Sequence, residues 1–199
     1  MEDKTLTEKE SLDLIAKMIQ NTQNKLQKGD GLPMLVWGYV TLAVTLAVGC
    51  GIYFTGSNDW HNLWFAIPVI GLPFILFFNK KQPKSIRTYI DKVISSIWMI
   101  VSAACILFAV ATFLSKYPVP ILTIELILVG TALAFTGRVV KFNAMFLGGI
   151  ISLLLAMTLL FVRQSLYYSL AIFAIAFIVN CIIPGHILNC KARKQCDKN

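Results

Sequence analysis

One acidic side chain lies well inside an apolar run, and an intramembrane carboxylate is the natural place to look for chemistry. Glu125 lies about two turns into the stretch Val119 to Gly137. A carboxyl group at the centre of a bilayer costs roughly 2.5 to 3.5 kcal/mol on insertion scales, so its position needs a physical reason. It can be accommodated by protonation, by a water-filled vestibule, or by pairing with Lys116 or Arg163 on the same side. Val129, Ala132 and Thr136 continue its helical stripe with small and weakly polar groups, which suits a helix contact. A proton or cation relay needs further ionisable partners in neighbouring runs, and the sequence supplies none. The reading therefore favours an interhelical hydrogen bond over transport for Glu125.

Asn180 is the next most polar residue of this kind. It shares a stripe with Ser169, Phe173 and Ala176 and reads as a helix contact held by an amide hydrogen bond. Pro68 and Pro73, with Gly71 between them, interrupt another apolar run. Broken helices near the midplane mark binding sites in many transporters, while a single kinked helix is more often a packing solution. The interruption a second repeat would need is met only by Pro184-Gly185 near the end of the last run. Ala43, Ala47 and Gly51 form a ridge of small residues for close helix approach, and Gly148 with Ser152 forms a shorter one.

Catalytic and metal chemistry find no foothold. His186, Cys190 and Cys196 match no zinc spacing and lack a fourth ligand. There is no phosphate-cradling glycine loop, no HExxH, no Gly-x-Ser-x-Gly, and no serine or cysteine beside an evident base. The expectation is a protein that is not an enzyme and needs no cofactor. The five cysteines form no CxxC pair, and three of them, Cys50, Cys105 and Cys181, lie in apolar runs, so reduced thiols are expected.

The elements that position these residues follow from composition. Apolar residues make up 57% of the 199-residue chain and charged residues 14%, with a mean hydropathy of +0.70. That is far from an ordinary soluble domain. A helix crosses a hydrocarbon core of roughly 30 Å with about 20 apolar residues. The predicted spans are 33–54, 60–78, 93–114, 119–137, 143–162 and 166–188, giving an all-α membrane bundle of six transmembrane helices over residues 33–189. A basic cytoplasmic tail, 190–199, follows.

Charge placement gives an independent reading of orientation. Sixteen Lys and Arg residues fall in the N-terminal segment, the connections after the second and fourth spans, and the tail; only Lys116 and Arg163 fall on the other side. Cytoplasmic loops hold the cationic excess, so both termini are expected inside. The same pattern accounts for the net charge of +8 by anionic lipid and orientation, with no nucleic-acid partner required. Trp37, Tyr39, Trp60, Trp64, Tyr117, Tyr167 and Tyr168 fall near the expected interfaces, and Trp98 lies deeper, as an interfacial or packing residue.

Residues 1–32 read as a separate cytoplasmic element. Thr7 and Glu10 form a capping box, and Leu12, Ile15, Ile19 and Leu26 line one face of an amphipathic helix that should stop near Lys28, before the turn residues Gly29, Asp30, Gly31 and Pro33. Its partners are the protein's own cytoplasmic face, a soluble protein, or a second copy. No cleavable secretory signal is visible ahead of the first apolar run.

Two stretches carry a resemblance: Leu6-Thr7-Glu8-Lys9-Glu10-Ser11-Leu12 with Met18-Ile19-Gln20-Asn21, and Ile183-Pro184-Gly185-His186-Ile187-Leu188-Asn189. Pro68-Val69-Ile70-Gly71-Leu72-Pro73 and Thr88-Tyr89-Ile90-Asp91 extend it along the chain. In these the sequence resembles a family of small uncharacterised bacterial six-span inner-membrane proteins. The resemblance implies a bacterial inner-membrane location and no activity. The expected function is a non-enzymatic sensor or accessory subunit that engages a cytoplasmic partner through the N-terminal helix. The alternative is a transporter or channel component for a small or hydrophobic solute, with Glu125 and the Pro68 to Pro73 break lining a cavity.

Overall fold

A computed structural model of the chain describes residues 10, 12, 13, 31–80, 89–115, 119–161 and 165–196. The described residues are helical, with short connections and no strand among them. The helices are α1 (Gly31–Thr55), a 3-10 helix (Asn58–Phe65), α2 (Ala66–Lys80), α3 (Tyr89–Leu114), α4 (Ile121–Val139), α5 (Asn143–Phe161) and α6 (Leu166–Phe177). A π-helical turn (Ile178–Ile182) then leads without a break into α7 (Ile183–Cys196).

Five of the helical stretches are long and apolar enough to cross a membrane: α1, α3, α4, α5 and the continuous run from α6 into α7. The predicted second span is the exception. Instead of one helix over 60–78, it folds as the 3-10 helix followed by α2, which has 15 residues. At 1.5 Å per residue α2 reaches about 22 Å, short of a hydrocarbon core of roughly 30 Å. The physical reason lies in Asn58, Asp59, His61 and Asn62, polar residues that favour turns. Ser57 caps them by accepting a hydrogen bond from the Asp59 backbone N–H at 3.2 Å.

Boundaries elsewhere shift modestly. α1 starts two residues early, at Gly31, and Pro33, the expected first residue of the span, sits in its first turn, where a proline costs no hydrogen bond. The last helix runs to Cys196, past the expected start of the tail. Leu12 is helical and exposed, and Ile15, Ile19 and Leu26 lie outside the described residues, as does Lys28.

Apolar helices gain nothing by burying oil in oil, so their cohesion comes from close packing and small residues at contacts. The α4–α5 hairpin shows this most clearly. A Cβ on Gly149 would stand 2.6 Å from both the Gly130 carbonyl oxygen and the Ala134 nitrogen, so the two backbones touch where glycine permits it. Ser152 adds an interhelical bond, its Oγ donating to the Leu126 carbonyl at 3.4 Å. The hairpin turn is a Schellman motif: Phe142 N–H donates to the Gly137 carbonyl at 2.8 Å and Lys141 N–H to that of Arg138 at 3.3 Å, with Lys141 at φ 56°.

The last helical run packs antiparallel along α1. A Cβ on Gly38 would meet Cys181 and Ile182 at 2.9 Å, Gly185 backs onto Leu35, and Gly31 abuts Asn189. At the far end the rings of Tyr53 and Tyr167 approach edge-on with centroids 6.3 Å apart. The start of α1 and the end of α7 therefore lie at the same end of the bundle. Leu126, Leu133, Phe142, Met145, Ala156, Ile172, Phe173 and Phe177 form the core between α4, α5 and α6.

In the Ala43, Ala47, Gly51 ridge, Gly51 makes room for the Trp60 indole of the 3-10 helix, while Ala43 is exposed and makes no close helix contact within the bundle. The buried face of α1 runs through Gly38, Thr41, Thr45 and Val48. Gly148 and Ser152 are buried as predicted, facing Val179–Asn180 and α4 respectively.

Candidate functional site, a cleft beside the third helix

α3 is the most apolar of the five long helices, yet none of its residues from Asp91 to Leu114 is buried. It leans mainly on α4, with Ile94 and Trp98 reaching the core. Between α3 and the rest of the bundle lies a cleft of about 2650 Å³. Ligand pockets commonly measure roughly 300 to 1,000 Å³; this space exceeds that range and is half open, so lipid chains as well as a solute fit in it.

Each wall of the cleft comes from a helical stripe. α4 contributes Glu125, Val129 and Thr136 from the stripe read in the sequence, with Leu122 and Leu133 beside them, while Ala132 of that stripe is buried away from the cleft. α3 contributes Trp98, Ser102 and Cys105, and α1 contributes Trp37 and Thr41. Phe173 and Phe177 line the α6 side, where the Trp64 ring meets Phe173 edge-on with centroids 5.4 Å apart. The lining is apolar with a sparse polar thread. Asn58, Asp59, His61 and Asn62 line it at the 3-10 end, and Asp91 and Lys92 at the start of α3.

Glu125 thus lies among the residues that line the cleft and is only partly exposed. Among the described residues it makes no hydrogen bond, so the expected interhelical bond is absent there; Lys116 and Arg163, its candidate partners, lie outside the described residues. Cys105 of α3 and Glu125 of α4 both belong to the lining of the cleft.

Of the three residues of the expected break, Gly71 packs, Pro68 sits in a first turn and Pro73 stands inside the helix. Pro68 lines the cleft from the first turn of α2, where its missing N–H is harmless, so the helix is not broken there. A Cβ on Gly71 would stand 2.8 Å from the Trp37 ring, so Gly71 makes room for an indole of α1. Pro73 lies exposed within α2. The real discontinuity is the switch from 3-10 to α geometry at Phe65–Ala66. Trp37, Trp60 and Trp64, expected at the interface, all pack on protein: against Gly71, Gly51 and Phe173.

Asn180 lies elsewhere, on the side of α5. It is fully buried against Gly148, and neither its Oδ1 nor its Nδ2 has a hydrogen-bond partner among the described residues, so the expected amide bond is missing. It sits inside the π turn, whose cause is local. Pro184 has no N–H to give the Asn180 carbonyl four residues back, and the helix widens so that Ile183 N–H bonds to Ile178 instead. The Pro184-Gly185 pair is therefore a genuine discontinuity. Close by, the Tyr39 hydroxyl and His186 Nε2 share a hydrogen bond of 2.8 Å.

Among the described residues no group of three or more His, Cys, Asp or Glu comes together to hold a metal ion. No family model, curated protein or solved structure matches this chain.

Proposed function

We propose that this chain is a non-enzymatic integral membrane protein that takes a small apolar or amphiphilic solute into the cleft beside α3, as a transporter or channel component. The observation that carries this reading is the cleft itself: a space of about 2650 Å³, walled by apolar and aromatic side chains, with Glu125 set into one wall. A site of that kind suits a molecule that prefers hydrocarbon yet offers a polar group.

The proposed setting is a bacterial inner membrane crossed six times, with both termini cytoplasmic. The lopsided placement of Lys and Arg favours it, and so does the proximity of Gly31 to Asn189, which an even number of crossings requires. On this reading the 3-10 helix and α2 together make the second crossing.

The reading is tested by photolabelling in lipid nanodiscs with a neutral alkyl diazirine. Saturable labelling of α3 and α4 residues around Trp98 and Val129, lost when Val129→Trp fills the cleft, is the expected result. Labelling that never saturates, or that Val129→Trp leaves unchanged, would refute it.

A second reading makes the chain a sensor or accessory subunit whose N-terminal helix engages a cytoplasmic partner or a second copy. The exposure of Leu12, at 67%, favours it. Deleting residues 1–28 then removes co-purifying partners while the bundle still inserts; an unchanged set of partners rejects it.

A further inference from the structure

The cleft beside α3 reaches both ends of the bundle, and that extent bears on what it carries. Gly31 lies beside Asn189 at one end, and Tyr53 beside Tyr167 at the other. The connections from α3 to α4, α4 to α5 and α5 to α6 are only a few residues long, so these helices run alternately up and down. Counting back from α6, which starts at the Tyr53 end, α3 begins at the Gly31 end. Lining residues occur at both. Pro33, Asp91 and Lys92 stand at the Gly31 end, and Asn58, Asp59 and Asn62 at the Tyr53 end. Polar groups therefore mark each mouth.

Between the mouths, α3 supplies a continuous track. Ser95, Trp98, Ser102, Cys105, Ala109 and Thr112 follow one another at alternating steps of three and four residues, which places them on one face of the helix, and all of them line the cleft. All but Trp98 are small, and Ser95, Ser102 and Thr112 carry hydroxyls. The opposite face is built otherwise: Ile100, Leu107, Val110 and Leu114 are large, apolar and exposed, and none of them lines the cleft. From Asp91 to Thr112 the helix rises about 32 Å, which matches a hydrocarbon core of roughly 30 Å. The track crosses the whole apolar layer.

The occupant has to suit a path that is polar at both mouths, small and hydroxylic along one wall, and half open. A water-soluble ion or sugar needs an enclosed passage, because at an open side it would meet lipid tails without its water. A purely apolar solute needs no passage, since it crosses hydrocarbon unaided. A phospholipid uses every feature: its head group follows the hydroxyls while its tails stay in the bilayer through the open side.

We infer that the cleft moves phospholipids passively between the two leaflets, with the small, hydroxylic face of α3 as the track for the head group. This rests on the cleft reading above and names its substrate class, and the two can fail separately.

The experiment reconstitutes the full chain into phosphatidylcholine vesicles holding a trace of phosphatidylcholine that carries nitrobenzoxadiazole on one acyl chain. Dithionite, which does not cross the bilayer, is added outside. Protein-free vesicles lose only the outer-leaflet label. With the native protein nearly all the label should be lost, while a soluble form of the dye sealed inside stays bright. Ser95→Leu combined with Ser102→Leu should slow loss of the inner-leaflet label by about tenfold, whereas Leu107→Ser, on the opposite face of α3, should hold its rate within about twofold. Inner-leaflet label that survives with the native protein overturns the inference without reference to any variant. So does a rate that the paired serine variant leaves unchanged, or loss of the sealed dye, which would mean leakage. A disulfide between two copies through Ser102→Cys in a cysteine-free background also overturns it, by placing a second chain in the cleft. If the inference fails while the neutral diazirine still labels the cleft saturably, the cleft reading stands. If that labelling does not saturate either, both fall.

Discussion

Asn180 and Glu125 look alike in the sequence, two polar groups in apolar helices, and the fold treats them in opposite ways. Glu125 lies on the lining of the cleft beside α3 and is partly exposed. Asn180 is closed in against Gly148, with both amide atoms unpartnered among the described residues. A buried amide without partners costs about 1 to 3 kcal/mol. Asn180→Leu, alike in branching and free of polar atoms, should therefore stabilise the protein by about 1 kcal/mol. Reversible unfolding in mixed micelles would show it, and a loss of stability would mean the amide has a partner in the membrane. The existence of these residues as special positions was legible from their type alone. Their surroundings were not, because helical spacing gives a side chain's direction around its own axis and says nothing about how far away the next helix stands.

Elements were more legible than residues. α1, α3, α4, α5 and the α6–α7 run fall close to their expected ranges, since long apolar stretches without charge leave little choice in lipid. The second span keeps its expected range but not a single geometry, since Asn58 to Phe65 wind as a 3-10 helix under the cap of Ser57 before α2 begins. Proline was informative at Pro184 and misleading at Pro68. The difference is position within the helix: Pro68 sits in a first turn that needs no N–H, and Pro184 in an interior that does. Close packing of α4 on α5 depends on Gly149, where an added Cβ would meet backbone atoms that cannot swing aside. Gly149→Ala should cost about 1 to 3 kcal/mol through forced separation of the hairpin. The same unfolding measurement would show it, and no change would mean the two helices are less tightly apposed than the glycine contact implies.

At the scale of the whole molecule, two features organise the account: an antiparallel seam between α1 and the last helical run, and a third helix that stands off the core. The seam puts Gly31 beside Asn189, so reporter domains fused to the two ends should both read as cytoplasmic. Opposite readings would require an odd number of crossings and would remove α2 from the membrane. The standing-off of α3 was invisible in the sequence, because a helix facing lipid, cleft or neighbour is equally apolar. Its consequence is the cleft, and a carboxylate costly to bury in hydrocarbon is tolerable there if water reaches it. The most direct measurement is thiol accessibility in a cysteine-free background, comparing Val129→Cys in the cleft wall with Leu154→Cys on the exposed outer face of α5. In a bilayer, a charged, membrane-impermeant thiol reagent should modify Val129→Cys readily and Leu154→Cys hardly at all. Equal inertness at both positions would mean that no solvent-reached cleft exists beside Glu125, and the account would be wrong at its centre.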